Sequence, residues 1–253
     1  MTTNSRENYY KNLNPNISKS NLDKINEILK NSCHANSLCP DEFYNFAQYY
    51  IKWLIDINGF SDKGFSVQIK FLNHLPKNVN GQMNFPLCEN DKNLKIKLNK
   101  KLYNIDYNQK GYSSKLDRAF NSFAHECEHV IQRIESYNAV LENNRLRKQI
   151  YDLKKQGLPK KILSQKYMCS QFISETEIGA RRNAIISLNY LFELLISKKE
   201  NKSDKSYLSF LKFFKRLIEI RKCYLEKDLT ELHKIDNRIN KHIKKRFDVE
   251  FTK

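Results

Sequence analysis

The sequence contains one pentad whose residue types and spacing favour metal chemistry. It reads His125-Glu126-Cys127-Glu128-His129. On a helix, histidines four residues apart stack on one face, so the imidazoles of His125 and His129 reach a single ion. Glu126 lies one position along, close enough to act on a water beside that ion. Two neutral nitrogens with a neighbouring carboxylate base are what a catalytic zinc uses to activate water for hydrolysis.

An apolar stripe at helical spacing runs through and around the pentad. On roughly 100° of rotation per residue, Cys127 lies about 200° from His125. We therefore predict that Cys127 packs into the core rather than joining a metal. The sequence predicts a buried helix that carries the two histidines at the margin of its apolar face. The stripe consists of Leu116, Ala119, Phe120, Phe123, Cys127, Val130, Ile131 and Ile134.

A catalytic zinc takes a third protein ligand, and the sequence offers two glutamates for it. The downstream histidines His233 and His242 lie on a basic terminal segment without a motif around them. Glu175 and Glu177 are two positions apart, about 200° of helix, so only one of them faces the metal. Small residues follow Glu177 at three and seven positions, which suits two closely packed helices. We favour Glu177, and Glu175 remains the alternative.

This combination resembles the gluzincin branch of zinc metallopeptidases, in particular compact cytoplasmic members and those on phages and mobile elements. The resemblance lies in His125 to His129 together with the later Glu177-Ile-Gly-Ala180. It implies a bound zinc, Glu126 as general base and a sheet edge strand that binds extended peptide. Two features depart from the family pattern. The gap of 177 − 129 = 48 positions is long, and Arg181 stands where thermolysin-like enzymes carry an acidic residue.

The expected activity is hydrolysis of peptide bonds in a protein or peptide substrate. Zinc would polarise the scissile carbonyl, and Glu126 would move the proton from water to the leaving amine. The carbonyl oxygen also needs a second donor, commonly Tyr, His or Arg. Tyr137, Tyr167 and Arg181 are the candidates, and the sequence does not choose among them.

The charge balance supports a different class of function. Lys+Arg number 45 and Asp+Glu 28, which gives the 253-residue chain a net charge of +17. Such an excess favours polyanionic partners, namely nucleic acid, an anionic membrane or an acidic protein. The alternative to an enzyme is therefore a basic helical binding protein for nucleic acid or another polyanion, with a non-catalytic or structural metal site. A lysine- and asparagine-rich composition alone also produces a basic chain.

The cysteines and the absence of long apolar runs suggest a compartment. The six cysteines are scattered, and the pair Cys33 and Cys39 around His34 has no matching half for a second zinc site. No apolar segment opens the chain, and no run has the length of a membrane span. Scattered thiols without an export signal favour a reducing cytoplasm, with export by a route that needs no N-terminal signal still open.

The hydrophobic pattern predicts an α+β fold with a small mixed or antiparallel sheet over roughly residues 65–107. Apolar and polar residues alternate in 67–71, in 83–87 and in 94–98. Pro86 places the second of these at the sheet edge, because proline cannot donate to a central ladder.

Helical patterns surround this sheet. A strong one carries Phe43 to Ile55, and later ones cover about 170–197, 207–224 and 229–247. We divide the chain into a flexible arm at 1–19, a zincin-like metallopeptidase domain with two ligand helices at 20–200, and a helical C-terminal extension at 201–253.

Overall fold

A computed structural model describes residues 3–73, 75, 80–84, 90–157 and 159–247. Within these residues the protein has an α+β fold, as predicted. The helices are α1 (Thr3–Lys11), α2 (Lys19–Ala35), α3 (Pro40–Ile57), α4 (Tyr112–Glu135), α5 (Asn138–Lys155), α6 (Lys160–Phe172), α7 (Glu175–Ser197) and α8 (Lys205–Phe247). The strands are β1 (Ser37–Leu38), β2 (Ser66–Leu72), β3 (Gly81–Asn84), β4 (Asn93–Asn99) and β5 (Ile105–Asp106).

Three of the strands form a small mixed sheet in the order β2-β4-β3. β2 runs parallel to β4, and β3 runs antiparallel to it. The prediction of a small mixed or antiparallel sheet is confirmed, with the mixed form present, and β3 lies at its edge. The predicted strand residues Phe85, Pro86 and Leu87 lie outside the described residues. The short strands β1 and β5 pair separately.

The register of β3 determines which of its backbone groups face away from β4. The Asn99 N–H donates to the Asn80 carbonyl at 2.9 Å, so these two residues form a hydrogen-bonded pair. Hydrogen-bonded and non-hydrogen-bonded pairs alternate along an antiparallel ladder. Gly81 and Met83 pair with Leu98 and Ile96 as the non-hydrogen-bonded residues. Their N–H and C=O groups therefore point away from β4, toward the free edge of the sheet.

The hydrophobic core joins α3, α4, α7 and α8 through aromatic side chains. The Phe43 ring lies 5.3 Å from the Phe120 ring and 5.6 Å from the Phe123 ring, between ring centroids. Phe214 of α8 in turn contacts Phe120 and Phe192, with centroids 4.7 Å apart in both pairs. Every residue of the apolar stripe predicted on α4 is buried. The core therefore fixes one face of the helix that carries the histidines.

The prediction of a flexible arm at residues 1–19 is wrong for the described part of that segment. Thr3–Lys11 forms α1, and the side chains of Arg6 and Tyr10 are only 1% and 2% exposed. The Tyr10 ring stacks on Tyr190 of α7 at 5.1 Å. The Asn- and Ser-rich composition suggested a loose segment because it has little apolar surface. Arg6 of α1 also forms a buried ion pair with Glu128 of α4, a contact that local composition does not reveal.

The helices after the site also differ from their predicted limits. α6 was not predicted, and the segment predicted as one helix from about residue 170 breaks at Ser174, whose hydroxyl accepts the Glu177 N–H at 3.2 Å. The segments 207–224 and 229–247 form the single 43-residue helix α8, because no glycine or proline interrupts them. The beginning of α8 shares the common core through Tyr207 and Phe214. None of the helices in the described ranges combines the length and apolar character that a membrane crossing requires.

Candidate metal centre

The packing of α4 against α7 brings the three predicted ligands together. His125 and His129 are one helical turn apart on α4, and their Nε2 atoms are 3.1 Å apart. The Ser174 cap starts α7 and places Glu177 in its first turn. Glu177 Oε2 lies 3.2 Å from His125 Nε2, and Oε1 lies 3.3 Å from His129 Nε2. Glu175, the alternative ligand, is exposed.

The donor set and its spacing fit zinc. Two imidazole nitrogens and a carboxylate form a common ligand set of catalytic zinc sites. Tetrahedral zinc with bonds of about 2.0–2.1 Å separates neighbouring ligand atoms by roughly 3.3 Å. The separations between imidazole nitrogens and carboxylate oxygens are 3.2 and 3.3 Å, and the candidate ligand atoms all lie within 4.8 Å of one another. The three side chains therefore converge as a metal site requires.

The histidines and the glutamate also shift each other's protonation. Burial would raise the pKa of Glu177, but hydrogen bonds from His125 and His129 hold it well below its usual range. Burial would lower the pKa of His129, but the hydrogen bond and charge of Glu177 outweigh this and raise it to about 9. The negative charge of Glu126 contributes in the same direction. Without a metal, His129 is therefore protonated at neutral pH.

This charge state gives a first prediction. In chelator-treated protein, the His129 imidazole should titrate near pH 9, and Glu177→Gln should lower its pKa because burial then dominates. Because folding raises the pKa of His129, protonation of this ring stabilises the metal-free fold. This stabilisation is complete below about pH 6.5 and is lost as the pH rises through about 9. Zinc must displace this proton, so zinc affinity should rise with pH up to that point. NMR titration of the histidine ring protons measures the pKa, and a wild-type midpoint at or below about 6.5 would contradict the prediction.

Glu126 lies at the junction of α4 and the edge strand β3. Its Oε2 accepts the backbone N–H of Met83 at 2.6 Å, one of the groups that point away from β4. Gly81 makes this close approach possible, because a Cβ atom there would lie 2.9 Å from Glu126 Cγ. The side chain is 8% exposed. The side chain of the predicted general base is therefore held against the edge strand β3.

A buried ion pair beneath the pentad was not predicted from the sequence. Glu128 is fully buried and accepts a hydrogen bond from Arg6 Nη1 at 2.5 Å, across 122 positions of chain. The Ser187 hydroxyl lies 3.0 Å from Glu128 Oε1 and 3.0 Å from the Tyr50 hydroxyl. Arg6 also donates to Asn58 Oδ1 at 3.1 Å. This network ties α1, α3 and α7 to the helix that carries the histidines.

The cysteine predictions have two outcomes. Cys127 is fully buried in the core, as predicted, and burial raises the pKa of its thiol well above the usual value. Cys33 and Cys39 do not form a second site with His34, whose Nε2 instead lies 3.0 Å from Asp204 Oδ2. Across the described ranges, His125, His129 and Glu177 are the one group of three or more potential ligands.

Of the candidates for stabilising the carbonyl oxygen, Arg181 is the one with a described contact to the ligand set. Its Nη2 lies 3.8 Å from Glu177 Oε2, and its guanidinium stacks on the Phe172 ring at 4.2 Å. Tyr137 packs its ring against the Arg133 guanidinium at 4.9 Å. The side chain of Tyr167 lies outside the described residues. A positive charge therefore adjoins the candidate metal ligands.

Comparison with known protein families, curated proteins and solved structures finds no match for this chain. The resemblance to gluzincins stays a prediction.

Proposed function

We propose that the protein is a zinc-dependent metallopeptidase that hydrolyses peptide bonds in a protein or peptide substrate. The observation that supports this most strongly is the convergence of His125, His129 and Glu177. Glu126, which follows His125 directly in the sequence, accepts a hydrogen bond from the edge strand β3. Zinc held by these three ligands would supply a Lewis acid and a water of lowered pKa.

In this proposal Glu126 carries the proton transfers. As a carboxylate it accepts a proton from water and then donates it to the leaving amine. The hydrogen bond from the Met83 N–H restricts the orientation of the carboxylate. Burial by the sheet limits competing contacts with bulk water, since the side chain is 8% exposed. The chain thus provides a base that is fixed in place next to the ligand set.

The edge strand β3 is the proposed docking site for the substrate backbone. The outward C=O groups of Gly81 and Met83 have the geometry to accept hydrogen bonds from an extended peptide, by strand addition. Arg181 lies on the ligand side, where its charge would offset the negative charge that develops on the scissile carbonyl oxygen. Backbone recognition at β3 and charge stabilisation at Arg181 together favour a peptide bond as the substrate.

The proposed setting is a reducing compartment such as the cytoplasm. The cysteines in the described ranges are free thiols, which supports this setting. The net charge of +17 favours substrates or partners with acidic surfaces.

Metal analysis of two glutamate variants tests the ligand set. Glu177→Ala should lower zinc affinity by about a hundredfold or more, because losing a ligand costs at least as much as losing an outer-shell partner. Glu175→Ala, a change in the same helical turn, should leave zinc affinity close to wild type. Competition with a chromophoric chelator measures the affinity, and elemental analysis gives the zinc content per chain.

The two variants also test the choice between the glutamates. Retention of zinc by Glu177→Ala together with its loss from Glu175→Ala would show that the wrong carboxylate was assigned. A wild-type chain without appreciable zinc affinity would overturn the proposed function. Cleavage of an unstructured protein, read by mass spectrometry with and without chelator, then links the metal to hydrolysis.

A further inference from the structure

One side chain links the histidine helix to the turn that carries Glu177. Gln132 lies three residues after His129 on α4, and its Nε2 donates to the Thr176 carbonyl of α7 at 2.9 Å. Its Oε1 lies 2.9 Å from His129 Nδ1. One amide thus contacts both the second histidine and the residue that precedes the third ligand.

The Thr176 carbonyl determines which way this amide faces. A backbone carbonyl only accepts hydrogen bonds, so the NH₂ group of Gln132 must face Thr176. The amide oxygen must then face His129, and it accepts a proton from Nδ1. When the ring is neutral, its single proton is therefore on Nδ1. The lone pair is left on Nε2, the atom that faces His125 and Glu177.

Gly179 leaves room for this arrangement. A Cβ atom at this position would lie 3.2 Å from Gln132 Nε2, closer than ordinary van der Waals contact. The small residue on α7 allows the amide to lie between the two helices. Local packing at Gly179 and the hydrogen bonds at Thr176 are therefore consistent with one fixed amide orientation.

The other histidine has no comparable support within the described residues. His125 Nδ1 is buried and has no hydrogen-bond partner among them. Ring nitrogens opposite a metal are generally held by an outer partner, which fixes the tautomer and the ring orientation. Among the described residues, Gln132 is the outer partner of His129.

We infer that Gln132 is a positioning residue of the metal centre, which holds His129 in the tautomer that presents Nε2 to the metal. This inference rests on the zinc site proposed above. Gln132 acts through His129. Its second hydrogen bond, to the Thr176 carbonyl, holds α7 beside the same ring. The Thr176 carbonyl fixes the orientation of the Gln132 amide, and this orientation fixes the tautomer of His129.

Three variants test this role through zinc affinity. Gln132→Met keeps a similar length but removes both hydrogen bonds, and should weaken zinc binding about 10–100-fold, the usual cost of losing an outer-shell partner. Gln132→Glu keeps an oxygen acceptor for Nδ1 but loses the donor to the Thr176 carbonyl, so it should recover part of this loss. Gln48→Met, the same change at a half-buried glutamine of α3, should leave the affinity unchanged. Melting curves of the metal-free proteins establish that each variant folds.

A spectroscopic measurement separates orientation from general packing. In the zinc-loaded wild type, the His129 Nδ1–H should give a protected downfield proton resonance, because it is hydrogen-bonded. Gln132→Met should lose this resonance to solvent exchange, and Gln132→Glu should retain it.

The possible results distinguish failure of the zinc site from failure of the role of Gln132. Wild-type zinc affinity in Gln132→Met overturns the role of Gln132 while leaving the zinc site in place. Equal losses in Gln132→Met and Gln132→Glu overturn the orienting role. A zinc-loaded wild type without the protected resonance also overturns it, even if Gln132→Met does not fold. A wild-type chain that binds no zinc overturns both the proposed function and this inference.

Discussion

Replacement of Glu126 by glutamine should lower peptide turnover by about a hundredfold or more while zinc remains bound. The amide keeps the shape of the side chain, and its oxygen still accepts the Met83 N–H. It cannot take a proton from water, so only the proton transfer is lost. Turnover is measured on a cleaved peptide by mass spectrometry, and zinc content is measured on the same preparation.

A second carboxylate provides the control for this experiment. Glu175→Gln removes an exposed negative charge from the first turn of α7 and should leave turnover near the wild-type value. A structural zinc site, or an inert helix on a binding protein, predicts no separation between metal content and activity. Cleavage by Glu126→Gln at the wild-type rate would rule out its role as the base.

Replacement of Arg6 by methionine should destabilise the protein by about 3–5 kcal/mol, the usual cost of leaving one member of a buried ion pair without its partner. Glu128 is fully buried and would retain the Ser187 hydroxyl but lose the cation at 2.5 Å. Burial already raises the pKa of Glu128, and Arg6 is the main opposing influence. Chemical denaturation at neutral pH measures the change in the free energy of unfolding.

A double-mutant comparison and a surface pair complete this test. Arg6→Met combined with Glu128→Met should cost less than the sum of the single changes, because no unpaired charge stays buried. Lys222 of α8 forms an exposed ion pair with Glu7 of α1, with 3.0 Å between Nζ and Oε1. Lys222→Met removes this pair and should lower the free energy of unfolding by at most about 1 kcal/mol. If Arg6→Met costs no more than Lys222→Met, the buried pair does not anchor α1.

The convergence of His125, His129 and Glu177 was predictable because its signals are local. The positions of His125 and His129 follow from helical spacing alone, and Glu177 was separated from Glu175 by the small residues on its face. The small sheet followed from the alternation of apolar and polar residues. These predictions needed only the period of a regular element and the known donor preferences of zinc.

The remaining features depend on contacts between distant segments. Arg6 and Glu128 are 122 positions apart, and no local pattern marks either one as half of a buried pair. Gln132 gains its role only when Thr176 lies beside it, which depends on the crossing of α4 and α7. The limits of α6 and α8 were missed because their local signals are weak. α6 is polar and has a weak hydrophobic period, and α8 was divided in two although it contains no internal stop signal.

The buried pair also has a consequence for the order in which the chain assembles during synthesis. A ribosome-bound chain that has emerged through residue 160 contains Arg6, Glu128 and both histidines, but it lacks Glu177 and Ser187. Such a chain contains only two of the three proposed ligands, and Glu128 still lacks one of its hydrogen-bond donors. Domains generally fold as units once their long-range contacts are available. If the three residues bind zinc as proposed, tight metal capture therefore requires that α7 has left the ribosome.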